Sequence, residues 1–122
     1  MANELTINVS IVCSDSELSV PALAIVDLLQ TLSTKKYAQL KMSVTVAEIA
    51  IPLGNVTSLG WALFINRDAT NFIELRVATG GTKFAKLKPG APALFYFGSG
   101  VTAPFAIADT AACQMEYVLF SQ

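Results

Sequence analysis

The chain has no histidine, only two cysteines and few charges of either sign. Without histidine it lacks the commonest general base at neutral pH and a frequent zinc ligand. Cys13 and Cys113 stand far apart in the chain, with no metal-binding or redox spacing between them. They read as buried thiols in a reducing compartment. Charged residues make up 14% of the chain, against roughly 25% in an average globular protein. Net charge is −1, with eight basic and nine acidic residues. The basic residues are scattered, and their closest grouping is Lys83, Lys86 and Lys88, which reads as a solvated strand face. Nothing here attracts nucleic acid. Long apolar helical runs are also missing. The uncharged stretch 49–66 is broken by Pro52, Gly54 and Gly60. The stretch 89–108 contains Pro89, Pro92, Pro104, Gly90, Gly98 and Gly100. Neither can form the unbroken helix of about 20 apolar residues that a bilayer requires. No membrane partner is expected, and the residues at the N-terminus lack a basic segment followed by an apolar one, so no secretory signal is expected either.

What is present is apolar surface: 53% of the residues are hydrophobic. Residues 1–122 are expected to form a single domain with one core. A chain so poor in charge must bury apolar surface somewhere, and a partner protein is the expected place.

The pattern is of short strands. Leu5, Ile7, Val9 and Ile11 alternate with Thr6, Asn8 and Ser10, a period of two. Ser14, Asp15 and Ser16 form a turn cluster. Residues 18–32 read either way. Leu23, Val26, Leu29 and Leu32 have helical spacing behind Pro21, yet Leu18, Val20, Leu23, Ile25 and Val26 also suit an apolar strand. After residues 33–36, Leu40, Met42, Val44 and Val46 alternate with Lys41, Ser43 and Thr45. Further strands are expected at 61–65, 72–77, 82–87, 93–97, 105–108 and 113–120. Between them lie the turn formers of 52–55, 66–71, Gly80-Gly81, Lys88-Pro89-Gly90 and 98–100. Short strands at intervals of about 8–12 residues predict an all-β fold, an antiparallel β-sandwich or barrel.

Catalytic chemistry finds little to use. No histidine-based triad and no Gly-x-Ser-x-Gly element exist. Asp68 and Glu74 flank one turn, as carboxylates at a hairpin do. Asp68 and Asn71 fall short of the six to eight oxygens that calcium takes. They read, with Asn66, as side chains that hold the turn. No catalytic residue, metal site or cofactor is expected, and the chain reads as a non-enzyme. The aromatics are more informative. In Leu94-Phe95-Tyr96-Phe97, and again in Val118-Leu119-Phe120, consecutive large residues place bulk on both faces of a strand. One face belongs to the core and the other to a second layer or another subunit. The candidate interface residues are therefore Trp61, Phe64, Phe95, Tyr96, Phe97, Val118 and Phe120. A different reading makes Trp61 and Tyr96 a stacking platform for glycans on a host surface.

The second half resembles small structural proteins of tailed bacteriophages. The residues that carry the resemblance are Gly60-Trp61, Asn66-Arg67-Asp68-Ala69-Thr70-Asn71, Lys86-Leu87-Lys88-Pro89-Gly90 and Ala108-Asp109-Thr110-Ala111-Ala112. Their order and spacing are similar over about residues 54–120. Two departures are Ala91-Pro92, where an acidic residue often follows the glycine, and the basic Arg67. The resemblance implies a jelly-roll-like β-sandwich and residues 18–32 in a strand. It implies a virion component, made in the host cytoplasm, and does not place it within the particle. The charge deficit and two-sided apolar strands favour a capsid decoration or cement protein that binds the particle lattice. A tail- or neck-associated subunit is the near alternative. The partners expected on the decoration reading are the chain itself, as a homo-oligomer and most simply a trimer, since sandwich-type decoration proteins sit on local three-fold axes, and the major capsid protein or another virion protein.

Overall fold

A computed structural model describes residues 4–11, 23–31, 37–98 and 104–121. The turn expected at 14–16, the segment 18–22, the junction at 33–36, residues 99–100 and Cys13 lie outside the described residues. The described structure is all-β, built from antiparallel sheets, with no helix among the described residues. No helix there is long and apolar enough to cross a membrane. The chain divides into two compact units, Met1–Thr34 and Lys35–Gln122.

The first unit holds a two-stranded antiparallel ladder of β1 (Glu4–Ile11) and β2 (Leu23–Thr31). Its register runs from Glu4 opposite Thr31 to Ile11 opposite Leu23, with a shift between Ile7 and Val9. The expected alternation holds along β1: Ile7 is buried, while Thr6, Asn8 and Ser10 are exposed. Residues 23–31 are a strand, so the helical spacing of Val26 and Leu29 does not decide their conformation. Ladder pairing with β1 overrides the weak helical period.

The second unit contains β3 (Tyr37–Val44), β4 (Ile49–Ala50), β5 (Leu59–Asn66), β6 (Ile73–Arg76), β7 (Lys83–Leu87), β8 (Pro92–Tyr96), β9 (Phe105–Ala108) and β10 (Cys113–Ser121). They form two four-stranded antiparallel sheets, in the orders β3-β10-β5-β8 and β4-β9-β6-β7. The expected strand around Leu40 ends at Val44, short of Val46. There the Thr45 hydroxyl donates to Ala47 O at 2.8 Å, and the Thr45 carbonyl accepts from Ala108 N at 2.8 Å. The short β4 has no counterpart in the sequence pattern; two residues are too few to show a period.

One buried cluster draws on both sheets of this unit. It includes Val44, Ala62, Phe64, Met115, Tyr117 and Leu119 from the first sheet, and Ile73, Leu75, Leu87, Ala106 and Ala108 from the second. Strand alternation explains the selection. Along β10, Cys113, Met115, Tyr117, Leu119 and Ser121 are buried, and the residues between them are not. The Tyr117 hydroxyl avoids an unpaired burial by donating to Pro52 O at 3.1 Å. Cys113 is buried in the same cluster, and burial, reinforced by the charges of Asp68 and Asp109, pushes its thiol up from its ordinary range.

Candidate interaction face

The turn residues singled out in the sequence are occupied with holding the chain. Asn66 is fully buried at the end of β5. Its amide donates to Asn71 O at 2.8 Å and to Leu87 O at 3.0 Å, and its side-chain oxygen accepts from Asp68 N at 2.9 Å. One carboxylate oxygen of Asp68 accepts from Thr70 N at 2.9 Å and Asn71 N at 2.6 Å. These backbone donors, Asn71 foremost, hold the carboxyl below its usual range. Thr110 donates to the Asn71 side chain at 2.8 Å. This is a braced loop with its polar capacity spent internally. Among the described residues no three Cys, Asp or Glu side chains converge to hold a metal ion.

The outward faces of the two sheets distribute charge and apolar bulk differently. On the β4-β9-β6-β7 sheet, Glu74 of β6 lies opposite Lys86 of β7, and Arg76 opposite Lys83. Arg76 pairs with Glu48 at 3.1 Å and Glu74 at 3.4 Å, and Lys83 pairs with Glu74 at 3.3 Å. Burial alone would raise Glu74, but Lys83 and Arg76 outweigh it and hold the carboxyl low. Lys86 sits 4.5 Å above the Phe72 ring. Half-buried Phe105 and Ile107 of β9 lie in the same rows, opposite Arg76 and Glu74.

The outward face of the β3-β10-β5-β8 sheet is polar along β3 and apolar across β5 and β8. Directly opposed residues of an antiparallel ladder share one face. The ladders therefore align Gln39, Val118, Leu63 and Leu94 in one row across the four strands. The next row holds Lys41, Glu116, Ile65 and Pro92. Trp61 lies opposite Tyr96 beyond Leu63 and Leu94. Leu94 is 38% exposed and Tyr96 51%, and Trp61, Leu63, Ile65, Val118 and Phe120 are half-buried. Within the second row, Glu116 pairs with Arg67 at 3.0 Å. The surface carries two shallow depressions beside β10. One of about 70 Å³ is lined by Leu63, Ile65 and Val118, and one of about 280 Å³ by Lys41, Arg67 and Gln114.

The expected interface residues divide between the two sides of this sheet. Trp61, Tyr96, Val118 and Phe120 lie on its outward face. Phe64 has no accessible surface and belongs to the core. Phe95 and Phe97 pack against that core, with Phe95 ring centroids 6.5 Å from Phe64 and 5.9 Å from Phe97. Consecutive bulky residues signal two apolar faces but not which residue takes which. The pleat decides that, and counting in twos from Val118 through the ladder would have found Leu63 and Leu94. Trp61 meets Tyr96 edge to face, 5.3 Å apart at 61°, which is not a flat stacking platform. Its indole Nε1 is buried with no hydrogen-bond partner among the described residues.

Comparison with known proteins found no matching family model, no matching curated protein and no matching solved structure. The class defined by fold and surface is thus an all-β protein with ion pairs on one sheet face and an apolar row across β10, β5 and β8 on the other.

Proposed function

We propose that this chain is a non-enzymatic virion structural protein of a tailed bacteriophage, a capsid decoration or cement protein that self-associates and binds the particle lattice. The observation that carries the assembly reading is the apolar row Val118, Leu63 and Leu94, with Trp61 and Tyr96 beside it, on one outward sheet face. Burying one leucine-sized side chain contributes about 1.5–3 kcal/mol, whereas an exposed ion pair contributes about 0–1 kcal/mol. The apolar face, not the ion pairs opposite it, therefore drives association. A lattice multiplies a modest contact over many copies.

A jelly-roll sandwich is the arrangement this reading takes for residues 35–122. Its support is the nesting of strand pairs: β3 with β10, β4 with β9, β5 with β8 and β6 with β7. One long antiparallel ribbon folded over itself has that nesting, and jelly rolls recur in capsid proteins. The fold class serves many functions, so the phage assignment leans on the four turn motifs and their order. A tail or neck position uses the same face. The glycan-binding reading draws less support, because Trp61 and Tyr96 do not present parallel rings.

Image reconstruction of the purified phage particle tests the proposal. The expected result is density for this chain on the capsid, with the β3-β10-β5-β8 sheet turned towards another virion protein. Absence of the protein from purified particles would refute the virion assignment. Density at the neck or tail would move the protein to that position.

A further inference from the structure

Each four-stranded sheet of the second unit ends in two edge strands, and exposed edges invite pairing with other chains unless they are guarded. β4 is guarded by its length of two residues, β8 by Pro92 at its start, and β7 by Lys83 and Lys86. β3 differs. It spans Tyr37–Val44 without proline or glycine and has Lys41 as its one charge. Among the described residues it pairs with β10 on one side alone.

β3 also leaves an apolar side chain uncovered. Ala38 and Val44 are buried on the side of the strand turned to the core. Leu40 shares that side and lies opposite the buried Tyr117, yet it is 43% exposed. Leu40 thus stands exposed on a strand that ends the sheet.

We infer that β3 is a self-pairing edge: the β3 strands of two copies pair antiparallel about a two-fold axis at Leu40, joining their sheets into one. The pairing pattern of the strand selects both occupant and register. A two-fold through Lys41 would set the two lysines directly opposite, which is unfavourable. A two-fold through Gln39 or Met42 shortens the ladder. A two-fold through Leu40 pairs Leu40 with its copy, Ala38 with Met42, and the Gln39 amide with the Lys41 ammonium, twice by symmetry. Small meets large and acceptor meets donor, so the strand complements itself. The axis runs perpendicular to the sheet, which leaves both outward faces on the same side and doubles the apolar surface. The contact deepens the proposed self-association but stands on the edge and not on the outward face. It gives two chains where the decoration reading expects three.

Sedimentation equilibrium of the full chain, with two substitutions of opposite sign at the exposed Gln39, tests it. Gln39→Glu faces Lys41 of the second copy with a carboxylate, and Gln39→Lys faces it with a like charge. The expected result is a dimer whose dissociation constant falls for Gln39→Glu and rises for Gln39→Lys, each by about three- to tenfold, with the gap closing in high salt. In a Cys13→Ser background, Leu40→Cys should form a disulfide-linked dimer, because opposed strand residues stand about 4.5–5.5 Å apart, within disulfide reach. A monomer at every concentration overturns the inference, as does a three-chain species of equal affinity in both Gln39 variants. Loss of the dimer on Val118→Lys also overturns it, by moving the contact to the outward face. A dimer with these properties that fails to bind phage particles sustains the edge pairing while refuting the proposed function.

Discussion

Gly90 occupies the left-handed region at φ 78°. The Ala91 N–H reaches back to Lys88 O at 2.9 Å, which closes a turn with Pro89 and Gly90 at its centre. Proline pre-sets the first central position and glycine supplies the positive φ of a type II turn. A Cβ at Gly90 would meet nothing within 4 Å, so the cost of Gly90→Ala is conformational alone. We expect a loss of about 1 kcal/mol in urea unfolding, with an unchanged denaturant slope. Asp68 makes a prediction in pH. Its folded-state carboxyl is held low by the backbone N–H groups of Asn71 and Thr70. A depressed pKa contributes stability that is present above the unfolded value, about 4, and is lost as pH falls through the folded value. Asp68→Asn removes that titration and keeps the shape. The variant should be less stable than the parent at pH 7 and should converge with it near pH 2. Parallel stability curves over that range would refute the role assigned to the carboxylate.

At the level of elements, strand positions were legible wherever alternation ran for several residues, as in Cys113 to Phe120. They were not legible where a strand was too short to show a period, as at Ile49–Ala50, nor where two periods competed, as at residues 23–31. The turn chemistry of Asn66, Asp68 and Gly90 could be read directly, because each residue type satisfies a local backbone demand. The division of Phe95 and Phe97 from Tyr96 could not, since it depends on the strand that lies alongside. The outward apolar row depends on ladder register in the same way, and that register leads to a third prediction. Val118 sits mid-strand on β10 between Gln39 and Leu63. Val118→Lys keeps the extended backbone, and the long side chain can lie along the sheet with its ammonium in water. Folding stability should change by less than about 1 kcal/mol, while the cosedimentation with phage particles that the proposed function requires should be lost. Retained cosedimentation would remove this face from the assembly contact.

Across the whole molecule, the described members of the buried cluster lie between Ala38 and Leu119, in the second unit. Its two four-stranded sheets supply their own ladders and their own inward side chains. The first unit is a two-stranded ladder. Two strands alone are marginally stable in water, whereas a multi-stranded unit with a buried apolar face can stand by itself. A fragment of residues 35–122 should therefore unfold in one cooperative thermal transition, with the near-ultraviolet signal of Trp61 against Tyr96 retained at low temperature. A peptide of residues 1–34 should show no cooperative transition under the same conditions. Because most of the ladder pairing in the second unit is between strands distant in sequence, as between β3 and β10 or β4 and β9, the fragment should also refold slowly, on the millisecond-to-second scale typical of non-local β topologies. Stopped-flow refolding of the fragment measures this directly. A microsecond phase carrying the full amplitude would contradict the nested pairing, because the outermost strand pair cannot form before the long loop between its strands has closed.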